Sequence, residues 1–98
     1  MEIDEIQVRQ GKINVEGKIT DIGEIREFNK NGGKLRVCDA KLKDSSGEIK
    51  LTLWNDEVDK VKVGDKVKII NGYCGEYQGE KQLTAGKFGK LEVIKEED

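Results

Sequence analysis

The chain has one tryptophan, two tyrosines and two phenylalanines, and four of these five rings stand where they could meet a ligand. Trp54 ends the run GEIKLTLWND, which alternates strictly: Ile49, Leu51 and Leu53 share one face of a strand, and Lys50, Thr52 and Trp54 share the other. If the aliphatic face is the core, the largest apolar side chain points away from it, beside a lysine. Tyr73 and Tyr77 lie in NGYCGEYQG, where glycine bends would swing side chains out of a sheet wall. Phe28 sits between Arg26 and Lys30, in a loop between the first two strands. Rings beside cations suit single-stranded nucleic acid. Each stacked base contributes about 1 to 3 kcal/mol while lysines follow the phosphates, and stacking does not inspect hydrogen-bonding edges, so such binding is largely sequence-independent.

Other chemistries fit the sequence poorly. With no histidine, no nucleophile elbow and no zinc pattern, only carboxylate or lysine catalysis is left, and the acids mostly alternate with lysines as a solvated face does. No catalytic residue, metal site, cofactor or small-molecule substrate is expected, and the chain reads as a non-enzyme. Cys38 and Cys74 are far apart and outside any CxxC pair. They are expected as reduced thiols with no assigned chemistry. The glycines of NGGK and GDK lack Walker spacing and read as turns.

The elements that must carry these side chains are short strands. IDEIQVRQG offers one helical turn across a core edge, with Asp4 as its cap and Ile3, Ile6 and Val8 as contacts. From Lys12, Ile13, Val15, Gly17 and Ile19 alternate before the phase shifts to Ile22 and Ile25, predicting a long, curved first strand bent at Gly17 and Gly23. The second strand, KLRVCDAKLKD, changes phase between Leu35/Val37 and Ala40/Leu42, predicting a bulge near Cys38 and Asp39. After the DSSGE turn comes the Trp54 strand. A short helix follows, with Asn55 or Asp56 as cap, Val58 and Val61 as its apolar pair, and a Gly64-Asp65 turn. KVKIINGYCGEYQGE gives a fourth strand broken at Gly72 and Gly75, and KQLTAGKFGKLEVI a fifth with glycines at 86 and 89. Five curved strands on one small core predict an all-β, closed or nearly closed barrel, because closure removes exposed edges.

Length and charge set the frame. Ninety-eight residues suffice for one domain. Residues 26 to 54 carry seven basic and four acidic side chains, whereas the chain as a whole has net charge −2, so the middle third is the basic part and the tryptophan ends it. No apolar run approaches a membrane span and MEIDEI is unlike a signal peptide, so the expected location is the cytoplasm, on the nucleoid, with no membrane partner.

DSSGEIKLTLWND, followed after a short gap by VGDKVKIINGYCGEYQGEKQLTAGKFG, resembles the OB-fold single-stranded DNA-binding domains of archaeal replication protein A and archaeal single-stranded DNA-binding proteins. The likeness runs from about Lys12 to Ile94. It implies a five-stranded OB-fold barrel with a short helix between strands three and four and a short N-terminal helical turn. The domain would be 1–98, with a core of about 12–95, standing alone or as one unit of a longer multi-OB protein. It also implies base stacking by Trp54, Tyr73 and Tyr77 in DNA replication, recombination or repair. Some relatives have a further aromatic where this chain has Thr84, and Phe28 is the substitute expected here; Phe88 is assigned to packing.

For basic and polar contacts the sequence offers Arg26, Lys34, Arg36, Lys50 and Thr52, then Lys41 and Lys81, with the facing of Arg36 depending on the bulge. Partners would be single-stranded DNA and other replication or repair proteins or OB domains. Two alternatives stay open: an RNA- or tRNA-binding OB domain, and a protein-interaction domain anchored by Trp54 and Tyr73.

Overall fold

The computed structural model describes residues 2–85 and 89–94. Strands β1 (Ile13–Lys30), β2 (Gly33–Lys43), β3 (Glu48–Trp54), β4 (Lys66–Tyr77), β5 (Glu80–Thr84) and β6 (Lys90–Ile94) form one sheet, with helix α1 (Asp56–Lys60) after β3 and a 3-10 turn, η1 (Ile3–Glu5), before β1. The order β1-β2-β3-β5-β4 closes on itself through a β1–β4 pairing, and β6 adds to β4. The ring of five strands is the barrel that the sequence predicts.

Closure rests on β1, whose first part pairs with β4 at Ile13 to Lys18 and whose remainder pairs with β2 from Lys18 onward. Its alternation puts Ile13, Val15 and Ile19 into the core, and Gly17 takes the inward place where the strand turns the corner. A Cβ on Gly17 would stand 2.8 Å from the Lys43 carbonyl oxygen and 2.9 Å from Leu42 Cγ, closer than such atoms approach. Only glycine lets the two strands come together there.

The β1–β2 register slips between Ile19 and Asp21 and again between Ile22 and Ile25, while β2 pairs with β3 without interruption from Val37↔Trp54 to Lys43↔Glu48. The bulge expected at Cys38–Asp39 therefore lies on the opposite strand, around Gly23. Adjacent Val37 and Cys38 are both buried because Cys38 faces the core and Val37 is covered on the outer face. A phase change in β2 thus came from two-sided burial, not from an extra residue.

The fourth strand is kinked rather than broken. Asn71 takes φ 55°, its N–H donates to Asn14 Oδ1 at 3.1 Å, and β4 runs through both glycines. The predicted fifth strand is divided: Tyr73↔Thr84 and Ile70↔Lys90 leave six steps of chain opposite three of β4, so β5 and β6 follow one another along β4.

Two caps differ from expectation. At η1 the N-cap is Glu2, not Asp4, and its N–H donates to Glu5 Oε1 at 2.8 Å. Asn55 precedes α1 with φ 52° and makes no side-chain cap; its Oδ1 instead accepts from the Arg36 N–H at 3.1 Å. Ile3, Ile6, Val58 and Val61 are buried as predicted, and Val8 is half-buried. Cys38 and Cys74 are free thiols within the core, where burial pushes both thiols up and keeps them protonated and unreactive.

Asn31 and Gly32, with φ 51° and 78°, form the β1–β2 turn, and Gln78 and Gly79, with φ 52° and 81°, form the β4–β5 turn, the left-handed pair that two-residue hairpins favour. The DSSG turn is organised by Asp44. Its Oδ1 accepts from the Ser46 N–H (2.7 Å), the Ser46 hydroxyl (2.6 Å) and the Gly47 N–H (3.1 Å), and its Oδ2 accepts from the Ile3 N–H at 2.8 Å. Desolvation pulls the Asp44 carboxyl up, but the hydrogen bonds from Ser46, Ile3 and Gly47 outweigh it and hold the group below its ordinary value. Asp44→Ala is expected to cost about 1 to 2 kcal/mol at pH 7, measured by urea unfolding. A lowered folded-state value means that this contribution is complete above the unfolded-state value of about 4 and fades as pH falls through the folded one; the gap between wild type and variant should close over that acid range.

Candidate nucleic-acid interface

The strand register fixes which side chains share the outer face of β2, β3, β5 and β4. One cross-strand row holds Arg26, Val37 and Trp54; the next holds Asp39, Thr52, Thr84 and Tyr73; the third holds Lys41, Lys50, Gln82 and Gly75. Tyr77 lies one row further along β4, opposite Glu80, and Phe28 lies beyond the first row, opposite Leu35. Trp54 is 40% exposed, Phe28 49%, Tyr73 47% and Tyr77 58%. The four rings named from sequence thus share one face. Trp54 and Tyr73 are two strands and one row apart, or about 12 Å. Phe28 belongs to a paired strand of the β1–β2 arm rather than to a loop.

Two of the rings, Trp54 and Tyr73, have a built setting. Val37, directly opposite Trp54, is buried without belonging to the core cluster, and so gives the indole an apolar seat. The backbone beneath is pinned on both sides: the Trp54 N–H donates to Glu57 Oε1 at 3.0 Å, and the Asn55 N–H to the Arg36 carbonyl at 2.9 Å. Burial pushes the Glu57 carboxyl up, partly offset by that Trp54 bond. Tyr73 is flanked by glycines: a Cβ on Gly75 would lie 3.7 Å from its Cε1 and one on Gly11 4.0 Å from its Cδ2. Larger residues at either place would occupy the flanks of the ring.

The cations sort into two groups. Arg26, Lys41 and Lys50 lie on the ring face, where Arg26 Nη2 reaches Asp39 Oδ2 at 3.4 Å and Lys50 Nζ reaches Glu80 Oε2 at 3.1 Å. Among the described residues Lys41 has no ion pair. It lines a groove with Lys50, Lys81, Glu48 and Glu80. Lys34 and Arg36 have the opposite parity on β2 from Val37 and point away from the rings. Arg36 is engaged elsewhere: Nη1 and Nη2 meet Asp59 Oδ1 and Oδ2 at 3.2 and 2.6 Å, and Nη2 also donates to the Asn55 carbonyl at 3.2 Å. That hydrogen-bonded pair raises the Arg36 guanidinium and lowers the Asp59 carboxyl. Lys81 donates from Nζ to the Ile6 carbonyl at 2.7 Å, holding the N-terminal segment.

Thr52 lies on the ring face but is only 8% exposed, and its covered hydroxyl has no hydrogen-bond partner among the described residues, a cost of about 1 to 3 kcal/mol for a buried polar group. Arg9 stands beside Tyr73, a position the sequence did not suggest. Its N–H donates to the Cys74 carbonyl at 2.7 Å and the Cys74 N–H returns to the Gln10 carbonyl at 2.9 Å, so Arg9 lines a recess with Val8, Tyr73, Gly75 and Glu76. Only the folded chain brings residues so distant in sequence together. Phe88 lies outside the described residues.

Arg36 ties α1 to β2 at the end of the Trp54 strand. Arg36→Gln is expected to lower the melting temperature by loosening α1 from β2, measured by thermal unfolding followed by circular dichroism.

Residues 13–91 match the family described as OB-fold nucleic acid binding domain. The chain is 31% identical over 85 residues to the single-stranded DNA binding protein Ssb of Saccharolobus solfataricus, covering 87% of this chain and 57% of that protein. It is also 31% identical over 93 residues to replication factor A of Methanothermobacter thermautotrophicus, covering 92% of this chain and 12% of that one. The chain therefore spans somewhat over half of the first relative and a small part of the second. In structure it is similar to the second OB-fold domain of replication protein A from Methanococcus maripaludis, with TM-score 0.78, 24% identity and coverage of 99% and 98% of the two chains. A ring closed in the order β1-β2-β3-β5-β4, joined to a match over nearly the whole barrel, settles the assignment: the chain belongs to the OB-fold nucleic acid binding domain family.

Proposed function

We propose that residues 1–98 form one unit that binds single-stranded DNA without catalysis, in replication and in the recombination and repair steps that expose such strands. The observation that carries the reading is the shared outer face on which Trp54, Tyr73 and Tyr77 stand exposed with Lys41 and Lys50 in the row between the two tyrosines. Bases stack on the rings. Arg26, Lys41, Lys50 and Arg9 meet phosphates, the ion-paired ones exchanging a carboxylate for a phosphate oxygen. Phe28 extends the stacking surface along the β1–β2 arm, and Arg36, Lys34 and Lys81 serve the fold or face elsewhere. The names of the two archaeal relatives, a single-stranded DNA binding protein and a replication factor A, support the choice of ligand.

Because stacking supplies most of the affinity, binding should tolerate many sequences. Net charge is −2, so attraction comes from the local cations and should fade quickly with salt. With about four phosphates neutralised, log affinity for oligo(dT) should fall against log salt with a slope of roughly −3, read from quenching of the single tryptophan. Trp54→Ala, followed by anisotropy of a labelled oligonucleotide, should weaken binding by about 1 to 3 kcal/mol and leave the unfolding free energy from urea titration within about 0.5 kcal/mol of wild type. A variant that unfolds, or that binds as wild type does, would place Trp54 in the packing instead.

A further inference from the structure

On the far side of the barrel from the rings, the strand register sets lysine beside lysine. Lys18 of β1 pairs with Lys43 of β2 on one side and with Lys66 of β4 on the other, so three lysines form one row with neighbouring Cβ atoms about 5 Å apart. Like charges directly opposite one another destabilise a sheet. The next row along β1 and β4 alternates instead, with Glu16 opposite Lys68 and Lys68 opposite Glu92, so nothing in this face of the barrel demands like charges. Two more lysines come from the segment after β3. The turn at Gly64 and Asp65 is tied to β1, where the Gly64 N–H donates to the Ile19 carbonyl at 2.7 Å and the Ile19 N–H to the Asp65 carbonyl at 2.8 Å. Lys60 and Lys62 thereby line one groove with the row. All five lysines are exposed, and Lys18, Lys43, Lys60 and Lys62 make no ion pair among the described residues. The acids of the groove are occupied. Asp44 accepts from the Ile3, Ser46 and Gly47 N–H groups, Asp65 Oδ2 accepts from the Lys62 N–H at 2.9 Å, and Glu16 stands opposite Lys68.

We propose that this groove binds an acidic segment of a partner protein, with an aliphatic side chain set among its carboxylates. The carboxylates meet the lysines, which relieves the repulsion within the row. The aliphatic side chain rests on Val93 and Ile94, which are half-buried in the lining of the groove, Ile94 directly opposite Lys66 at the end of the row. A nucleic acid fits less well. The described lining has no aromatic ring on which a base could stack and no arginine to hold a phosphate through two bonds, whereas compact ammonium groups suit single carboxylates. Strand and partner would then lie on opposite sides of one barrel, each binding with the other in place.

The test is fluorescence anisotropy at low salt with a labelled synthetic peptide of aspartate and glutamate carrying leucine at every third place, beside the same peptide made with asparagine and glutamine. Wild type should bind the acidic peptide, and the amide peptide roughly tenfold more weakly. Lys18→Glu, at the centre of the row, should weaken the acidic peptide by roughly tenfold, because like charge then faces like charge, while binding oligo(dT) as wild type does and keeping the fold by circular dichroism. Lys18→Gln should weaken the peptide less and melt no lower than wild type, since repulsion within the row is relieved. No binding of the acidic peptide by wild type, equal binding of the amide peptide, or unchanged peptide affinity in Lys18→Glu would each overturn the proposal and leave the DNA-binding reading standing. A peptide that binds only after Glu96, Glu97 and Asp98, which follow Ile94 in the sequence, are changed to amides would assign the row to the chain's own acids and overturn it as well. An equal loss of oligo(dT) affinity in Lys18→Glu would make the row part of the DNA surface instead.

Discussion

Everything on this molecule depends on one strand being shared by two neighbours. β1 closes the barrel only because its first part pairs with β4 and its remainder with β2, and a strand can do both only if it bends sharply. Gly17 supplies the bend at the point where a side chain would strike the Lys43 carbonyl. The register slips that follow supply the rest of the curvature and the added twist. Closure removes the sheet edges from the barrel, buries one face of every strand, and leaves the other as a continuous outer surface. The ring-bearing face is part of that surface. Its rows are set by the register, so the relative positions of Trp54, Tyr73 and Lys50 are consequences of backbone pairing and not of side-chain choice.

Charge on that surface is arranged against the average. The chain is slightly acidic overall, and two of the cations on the ring face already hold carboxylates, Arg26 with Asp39 and Lys50 with Glu80. Exposed pairs of this kind contribute little to stability. They reduce repulsion among the cations of that face. Arg36 is the contrast: bidentate on Asp59 and bonded to the Asn55 carbonyl, it fixes α1 at the end of the Trp54 strand. Arg36 thus secures the platform, whereas Arg26 lies on the ring face with Asp39.

Much of this was legible in the sequence, and the reasons are local. Ile49, Leu51 and Leu53 alternate with Lys50, Thr52 and Trp54 in a strand that the structure leaves regular, so parity alone put the indole outside. Tyr73 and Tyr77 flank buried Cys74 with the same parity, and Asn31-Gly32 made the first hairpin turn. The misreadings came where position depends on a partner strand. Burial of both Val37 and Cys38 mimicked a bulge in β2 that belongs to β1, and the facing of Arg36, which depended on that bulge, is set by the regular β2 register instead. Lys81 was offered as a phosphate contact, but its ammonium donates a hydrogen bond to the Ile6 carbonyl of the N-terminal segment, distant in sequence. Arg9 escaped notice for the same reason, since it reaches Tyr73 only through the backbone bonds between Arg9, Gln10 and Cys74. The covered, unpartnered hydroxyl of Thr52 is a property of packing that no alternation pattern contains.

The central claim is that the outer face of β2, β3, β5 and β4 is where a single strand lies, and site-resolved mapping tests it most directly. An amide-detected NMR titration with a short oligo(dT) should shift Asp39, Lys41, Lys50, Thr52, Trp54, Tyr73, Tyr77 and Gln82, together with the Trp54 indole N–H. Residues on the far side of the barrel, Glu16, Lys18, Lys66 and Lys68, should stay in place. Shifts concentrated on that far side, with the Trp54 indole unmoved at saturation, would contradict the account.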